Sequence, residues 1–319
     1  MMKVIWGIWM AVMLSVMPSL AADKEILVVV GLEGAEEYDG VFEKLAERWK
    51  LASDSVGVPC EIIGVTAEEG ESVRDRVKNR LAQKAEGELW LVMLGHGTFD
   101  GRTAKFNVAG PDITAGDLAE WLNPRQDEST VVMNFFSASA PFLTTLSGEN
   151  RIVISATKSA SEVFYSRFGS FFTTALIEQP EADLDNDDQV SVLEAFIMAG
   201  SQVSEFFENQ GRLATEHAML DDNGDTLGTR ADWFQGTTAI KTAKDGAELD
   251  GFRAGQRVLI PNSLERKMTS DQLTRRNELE LSIRDLREAK SDYDEAAYYE
   301  KMESLLLELA RIYSAVPAQ

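Results

Sequence analysis

Leu89-Trp90-Leu91-Val92-Met93-Leu94-Gly95-His96-Gly97-Thr98 is an unbroken apolar run that stops at a histidine set between two glycines. A strand with no polar residue on either face must be covered on both, the condition of a buried strand in a parallel sheet. The same pattern recurs along the chain. Ile26-Leu27-Val28-Val29-Val30 ends at Gly31, and 59–65 reads as another strand. Residues 131–136 end at Ser137-Ala138-Ser139, and 151–156 end at Thr157-Lys158-Ser159. Between the strands lie helical spacings: Tyr38, Val41, Phe42, Leu45 and Trp49 over 38–49, then a highly charged helix over 71–85. Strand and helix in alternation predict an α/β fold, an open, mostly parallel sheet with helices on both faces. Functional groups in such sheets gather at the carboxyl ends of the strands. Gly95-His96-Gly97, Ser137 and Thr157 would then share one edge.

Further along, a helix over 169–178 stops before Pro180, and a long one spans 192–209. Gly- and Asp-rich loops follow to Asp250, Leu259 closes a last short strand, and Pro261 marks a boundary. This divides the chain into an α/β domain over 23–262 and a C-terminal helical hairpin over 263–319. In the hairpin, Leu279, Ile283 and Leu286 form one apolar stripe, and Met302, Leu305, Leu309 and Ile312 a second. Ser291 followed by Asp294 reads as the capping box of the second helix. Two short stripes are not sustained heptads, so packing on the parent domain is favoured over a separate coiled coil.

Lys3, an apolar run over 4–17, Pro18 and Ser19-Leu20-Ala21-Ala22 have the pattern of a signal peptide over 1–22. The run is shorter than the ~20 residues of a comfortable membrane span, though a short anchor stays open as the alternative. The expected product is an exported protein, periplasmic or extracellular, with no membrane association after cleavage. Its formal net charge is −22, one unit more negative once Lys3 is removed. That balance argues against nucleic acid or anionic lipid as partner, since phosphate binding relies on Lys and Arg. The one cysteine, Cys60, leaves an exported chain without an internal disulfide, so burial must stabilise it. The oligomeric state is left open.

Asp183-Leu184-Asp185-Asn186-Asp187-Asp188-Gln189-Val190-Ser191-Val192-Leu193-Glu194 follows the EF-hand calcium loop at positions 1, 3, 5, 9 and 12. Asp183, Asp185 and Asp187 would give carboxylate oxygens and Gln189 its backbone carbonyl. Ser191 would act directly or through water, and Glu194 would be bidentate. The departure is Asp188 where glycine is expected; that position needs φ > 0, which Asp tolerates better than most residues. The bound ion is expected to be Ca2+ in a structural role, the alternative being an acidic helix-capping loop. A second acidic turn, Asp221-Asp222-Asn223-Gly224-Asp225, lacks the hydrophobic eighth residue and reads as an Asx-type turn.

Only two histidines exist, His96 and His217, and His217 has no evident partner. His96 sits where flanking glycines let the backbone turn sharply. The other strand end reads Asn134-Phe135-Phe136-Ser137-Ala138-Ser139-Ala140-Pro141-Phe142. Here the chain resembles the caspase and legumain peptidases, which have a strand ending in His-Gly and a later strand ending in Ala-Cys-x-Ser-Gly or a close variant. The matches are His96-Gly97 and Phe136-Ser137-Ala138-Ser139-Ala140, and the resemblance spans 26–209. It is also similar to exported caspase-like proteins of bacteria. The resemblance implies a caspase-like fold with His96 as base, Ser137 at the nucleophile position, and the Gly97 and Ser137 amides as oxyanion donors.

Ser137 departs from that family's cysteine. A thiol with pKa about 8.5 ionises readily, whereas a serine hydroxyl must lose its proton during attack. Ala140 departs from the family's glycine. Two readings follow: a catalytically impaired relative that binds a peptide or protein ligand, or a peptidase or esterase using Ser137 with His96. A third is a calcium-stabilised structural module whose hairpin makes the contacts.

Overall fold

The computed structural model describes residues 24–34, 38, 40–65, 70–83, 87–126, 128–244 and 247–316. The signal-peptide reading over 1–22 lies outside them. Five parallel strands make up most of a seven-stranded sheet: β1 (Lys24–Val30), β2 (Cys60–Ile63), β3 (Glu88–Leu94), β7 (Thr130–Phe135) and β8 (Arg151–Ser155), with β2 at one edge. Two short strands, β9 (Met219–Asp221) and β10 (Thr229–Arg230), add antiparallel at one edge, giving the order β10-β9-β8-β7-β3-β1-β2. A separate antiparallel sheet joins β4 (Gly97–Phe99), β5 (Ala104–Phe106) and β6 (Ile113–Thr114).

The unbroken apolar runs divide by parity. Ile26, Val28, Val30, Trp90, Val92, Leu94, Val131, Met133 and Phe135 enter one core. Leu27, Val29, Leu89, Leu91, Met93 and Val132 enter the other. The first core is covered by α1 (Val41–Val56), α5 (Phe168–Glu178) and α6 (Val192–Asn209) through Phe42, Leu45, Trp49, Phe172 and Phe196. The second is covered by α2 (Val73–Leu81), α3 (Ala115–Leu122) and α4 (Ala140–Leu146) through Val77, Leu118, Phe142 and Leu146. This is the expected three-layer α/β architecture with a mostly parallel sheet.

Several expectations shift. The helix read over 38–49 runs instead over Val41–Val56, bounded by Gly40 and Gly57 at φ 70° and 74°. Tyr38 therefore precedes it. The stretch read as loop up to Asp250 contributes β9 and β10, a two-stranded hairpin of β11 (Phe234–Gln235) and β12 (Thr238–Ala239), and their connections. In place of a strand closing at Leu259, a single bridge pairs Val258 with Ser191. A short helix, α7 (Phe252–Gly255), precedes it.

The hairpin consists of α8 (Ser270–Glu288) and α9 (Glu295–Ala315). Asp294, not Ser291, caps α9: its carboxylate accepts from the Ala297 amide at 2.9 Å, while Tyr293 is extended and Ser291 lies in the preceding 3-10 turn. The hairpin rests on the α/β domain. Gln256 Nε2 donates to the Asn277 carbonyl and to Glu280, and Arg284 lies over the Phe252 ring. Arg276 pairs with Glu265 in the turn that leads into α8, and the Glu265 carboxylate also meets Gln189 of the domain. No helix among the described residues is long and apolar enough to cross a membrane.

Candidate functional site

The chain runs from β1 out to β2 and then crosses back over β1 to β3, so the strand order reverses between β1 and β3, the position where such sheets bind ligands at the carboxyl ends. Leu94 pairs in register with Phe135, which sets His96 and Ser137 on neighbouring strand exits. The approach is close enough to require glycine at 97: a Cβ there would lie 2.0 Å from the Ser137 carbonyl oxygen and 2.7 Å from Phe136.

Ser137 is 2% exposed. Its hydroxyl accepts from the Gly97 amide at 3.1 Å and donates to the Gly97 carbonyl at 2.9 Å. Phe136, fully buried, fills the space beneath, against Phe106 and Phe142. Ala138 takes the left-handed conformation, φ 58°, and its amide donates to the Glu162 carbonyl at 2.8 Å. Ser139 and the Ala140 amide both meet the Thr157 hydroxyl, at 3.2 and 3.1 Å.

His96 is half-buried, and its Nε2 lies 2.7 Å from the Glu33 carbonyl. A carbonyl only accepts, so Nε2 carries a proton, which leaves Nδ1 as the acceptor in the neutral tautomer this contact selects. Tyr38 and Phe42 meet the imidazole edge-on at centroid distances of 5.1 and 5.3 Å, and Tyr38 stacks on Tyr165 at 4.2 Å. Arg167 lies over the Tyr165 ring, and burial pushes that phenol's pKa up. No hydrogen bond joins His96 to Ser137 among the described residues. The two resemblance-derived residues are thus neighbours, each bonded to backbone.

Sequence patterning missed the group that orients His96, because a backbone carbonyl has no side-chain signature. His217, read as lacking a partner, has one: its Nδ1 lies 2.6 Å from Glu162 Oε1. Glu162 Oε2 accepts from the amides of Lys158 and His217, so this carboxylate braces the loop that holds Ala138. Cys60 sits on the edge strand β2, its thiol pushed up to about 11 by burial.

In the acidic loop, carboxylate oxygens of Asp183, Asp185 and Asp187 all lie within 4.8 Å of one another. Asn186 and Asp188 adopt φ 60° and 67°, so Asp188 does take the conformation its place requires. Asp183 accepts from the amides of Asp187 and Asp188, and Asp187 from that of Gln189. Glu194 stands outside the three-carboxylate group. Its Oε1 accepts from the Leu184 amide at 2.7 Å, and its Oε2 from the Ser191 amide and hydroxyl, both at 2.8 Å. Ser191 caps α6 through the Glu194 amide, and the Gln189 side chain reaches Asp187, Glu265 and Asn262. Burial first, then the charges of Glu194, Asp187 and Asp183, raise the Asp185 carboxyl to about 6.

No family model matches the chain, and no curated protein matches it in sequence. Among solved structures it is similar in fold to the initiator caspase Dronc of Drosophila, with 10% identity over 65% of this chain and 81% of that one, TM-score 0.44. It is also similar to caspase-1 from Spodoptera frugiperda, with 6% identity over 64% of this chain and 87% of that one, TM-score 0.41.

Proposed function

We propose that this chain is an exported, caspase/legumain-like peptidase homologue that has lost peptide hydrolysis and binds a peptide or protein ligand at the carboxyl edge of its sheet. The observation that carries the reading is the state of Ser137. A nucleophile must face its substrate with a base within reach, whereas this hydroxyl is buried and bonded on both sides to Gly97. The Gly97 amide, the oxyanion donor implied by the resemblance, is occupied by the same hydroxyl. Beside it, Tyr38 and Tyr165 stack at 4.2 Å and would offer aromatic surface to an extended ligand.

Hydrolysis through Ser137 and His96 is the competing reading, and the Glu33 carbonyl favours it, since it fixes the imidazole with Nδ1 as acceptor. A fluorophosphonate probe separates the two. The wild-type protein is expected to stay unlabelled; labelling that disappears in Ser137→Ala would establish the hydrolase instead.

Calcium is proposed to brace the 183–194 loop. Three carboxylates clustered on a tight turn suit a hard cation that prefers oxygen. Gln189 would add its backbone carbonyl; Ser191 and Glu194 would close the loop by exchanging hydrogen bonds for the cation, since Glu194 Oε1 accepts from the Leu184 and Asp185 amides and Oε2 from the Ser191 amide and hydroxyl. The role would be structural, holding the entrance of α6.

A further inference from the structure

The turn at 221–227 repeats the backbone of the 183–189 loop. Gly224 and Thr226 have φ 81° and 70°, at the fourth and sixth positions, as do Asn186 and Asp188 in the first loop. The Leu227 amide donates to Asp225 as the Gln189 amide donates to Asp187. Repeated geometry makes a turn, not a site. What points to a ligand is Asp221. It is fully buried, its Oδ1 faces across the turn to accept from the Gly224 amide at 2.9 Å, and its Oδ2 makes no hydrogen bond of normal geometry, the Ser147 hydroxyl being the nearby donor to the carboxylate. A buried carboxylate oxygen without a partner is costly, and a cation held in the turn would satisfy it.

The neighbouring groups are arranged to match. Asn223 Nδ2 donates to the Glu248 carbonyl while Oδ1 accepts from the Asp225 amide, so the amide oxygen faces the turn. Asp225 is half-exposed and lies on the solvent side. The other acids nearby are spent elsewhere. Asp222 accepts from the Gly251 and Ala254 amides, and Asp250 accepts from the Asp222 amide and the Thr229 hydroxyl. Ser147 accepts from the Thr226 amide and walls one side.

We propose that Asp221, Asn223 and Asp225, with the Leu227 carbonyl, form a second site for a hard divalent cation, calcium above all. Asp232, at the twelfth position, is tied to Arg230 and does not close the loop, so water completes the coordination. With two carboxylates the site belongs with weak extracellular calcium sites, on the order of 10⁻⁴–10⁻³ M.

Calorimetric titration of the chelator-stripped protein with calcium chloride tests this. Two equivalents are expected; Asp221→Asn and Asp225→Asn should each remove the weaker one, and Asp185→Asn the other. Asp221→Asn keeps an acceptor for the Gly224 amide while relieving the buried charge, so it should melt no lower than wild type in EDTA. Asp225→Asn changes a half-exposed residue and guards against a folding artefact. One equivalent lost with Asp221→Asn and kept with Asp185→Asn would uphold this site and remove calcium from 183–194. One equivalent insensitive to both Asp221→Asn and Asp225→Asn, or no binding, would overturn it.

Discussion

The hydroxyl of Ser137 clasps the backbone of Gly97, accepting from its amide at 3.1 Å and donating to its carbonyl at 2.9 Å. The clasp fastens the exit of β7 to the exit of β3 where both are buried. Ser137→Ala would leave an amide and a carbonyl unpaired out of water, a loss of about 1–3 kcal/mol. Chemical denaturation should show a lower midpoint with an unchanged slope. An alanine variant as stable as wild type would mean that the clasp does not form.

Much of this edge was legible in the sequence. Continuous runs such as Leu89 to Leu94 can be satisfied only by two covered faces, and alternate residues do enter separate cores. Strand ends then had to lie side by side, which placed His96 near Ser137. What stayed hidden has no side-chain pattern. The Glu33 and Glu162 carbonyls that hold His96 and Ala138 are backbone atoms. The β4 to β6 sheet is built from pieces two or three residues long, too short for period-2 alternation to register. Ser291 and Asp294 are both good caps, so residue type alone could not choose between them, and the helix begins after the later one.

Asp250 should make the protein less stable in alkali. Burial first, then the Asp222 carboxylate, raise it from 3.8 to about 8. The folded state holds this proton more tightly than the unfolded chain. Its contribution is therefore whole below pH 4 and is lost as pH rises through 8. Asp221, Asp222 and Glu216 are raised by burial and act in the same direction. Glu88 and Asp117, each held at about 2 against burial by arginine partners, act oppositely and only as pH falls below 4.5. In EDTA, the melting temperature should fall between pH 5 and 9. Asp250→Asn, which can still accept from Asp222 and can donate to Thr229, should flatten part of that fall; parallel slopes would refute the assignment.

Calcium's effect should carry its own pH signature. With no cation, Asp185 titrates at about 6, so the empty loop stabilises less as pH climbs from 4 past 6. A cation competes with that proton. The melting-temperature gain from saturating calcium should be larger at pH 7.5 than at pH 5, and Asp185→Asn should abolish the difference. Saturation at a hundredfold the dissociation constant is worth about 2.7 kcal/mol. A gain independent of pH would point to binding that does not engage Asp185.

The hairpin's attachment turns on Arg276 and Glu265, paired with side chains each 9% exposed. Glu265 also accepts from Gln189 Nε2 at 3.0 Å, and Gln189 in turn bonds Asp187, so the same carboxylate touches the hairpin and the acidic loop. Removing one member strands a buried charge, at about 3–5 kcal/mol, while replacing both by apolar residues of similar size is often neutral. Glu265→Leu alone should therefore loosen α8 from the domain and expose 263–269 to protease. Glu265→Leu with Arg276→Met should restore most of the resistance. The loop supplies a further discriminator: both variants lose the Gln189 contact, so both should show the same small drop in calcium affinity despite their different proteolysis. Equal sensitivity to protease in the single and double variants would show that the hairpin is held by its apolar stripe, with the ion pair contributing little.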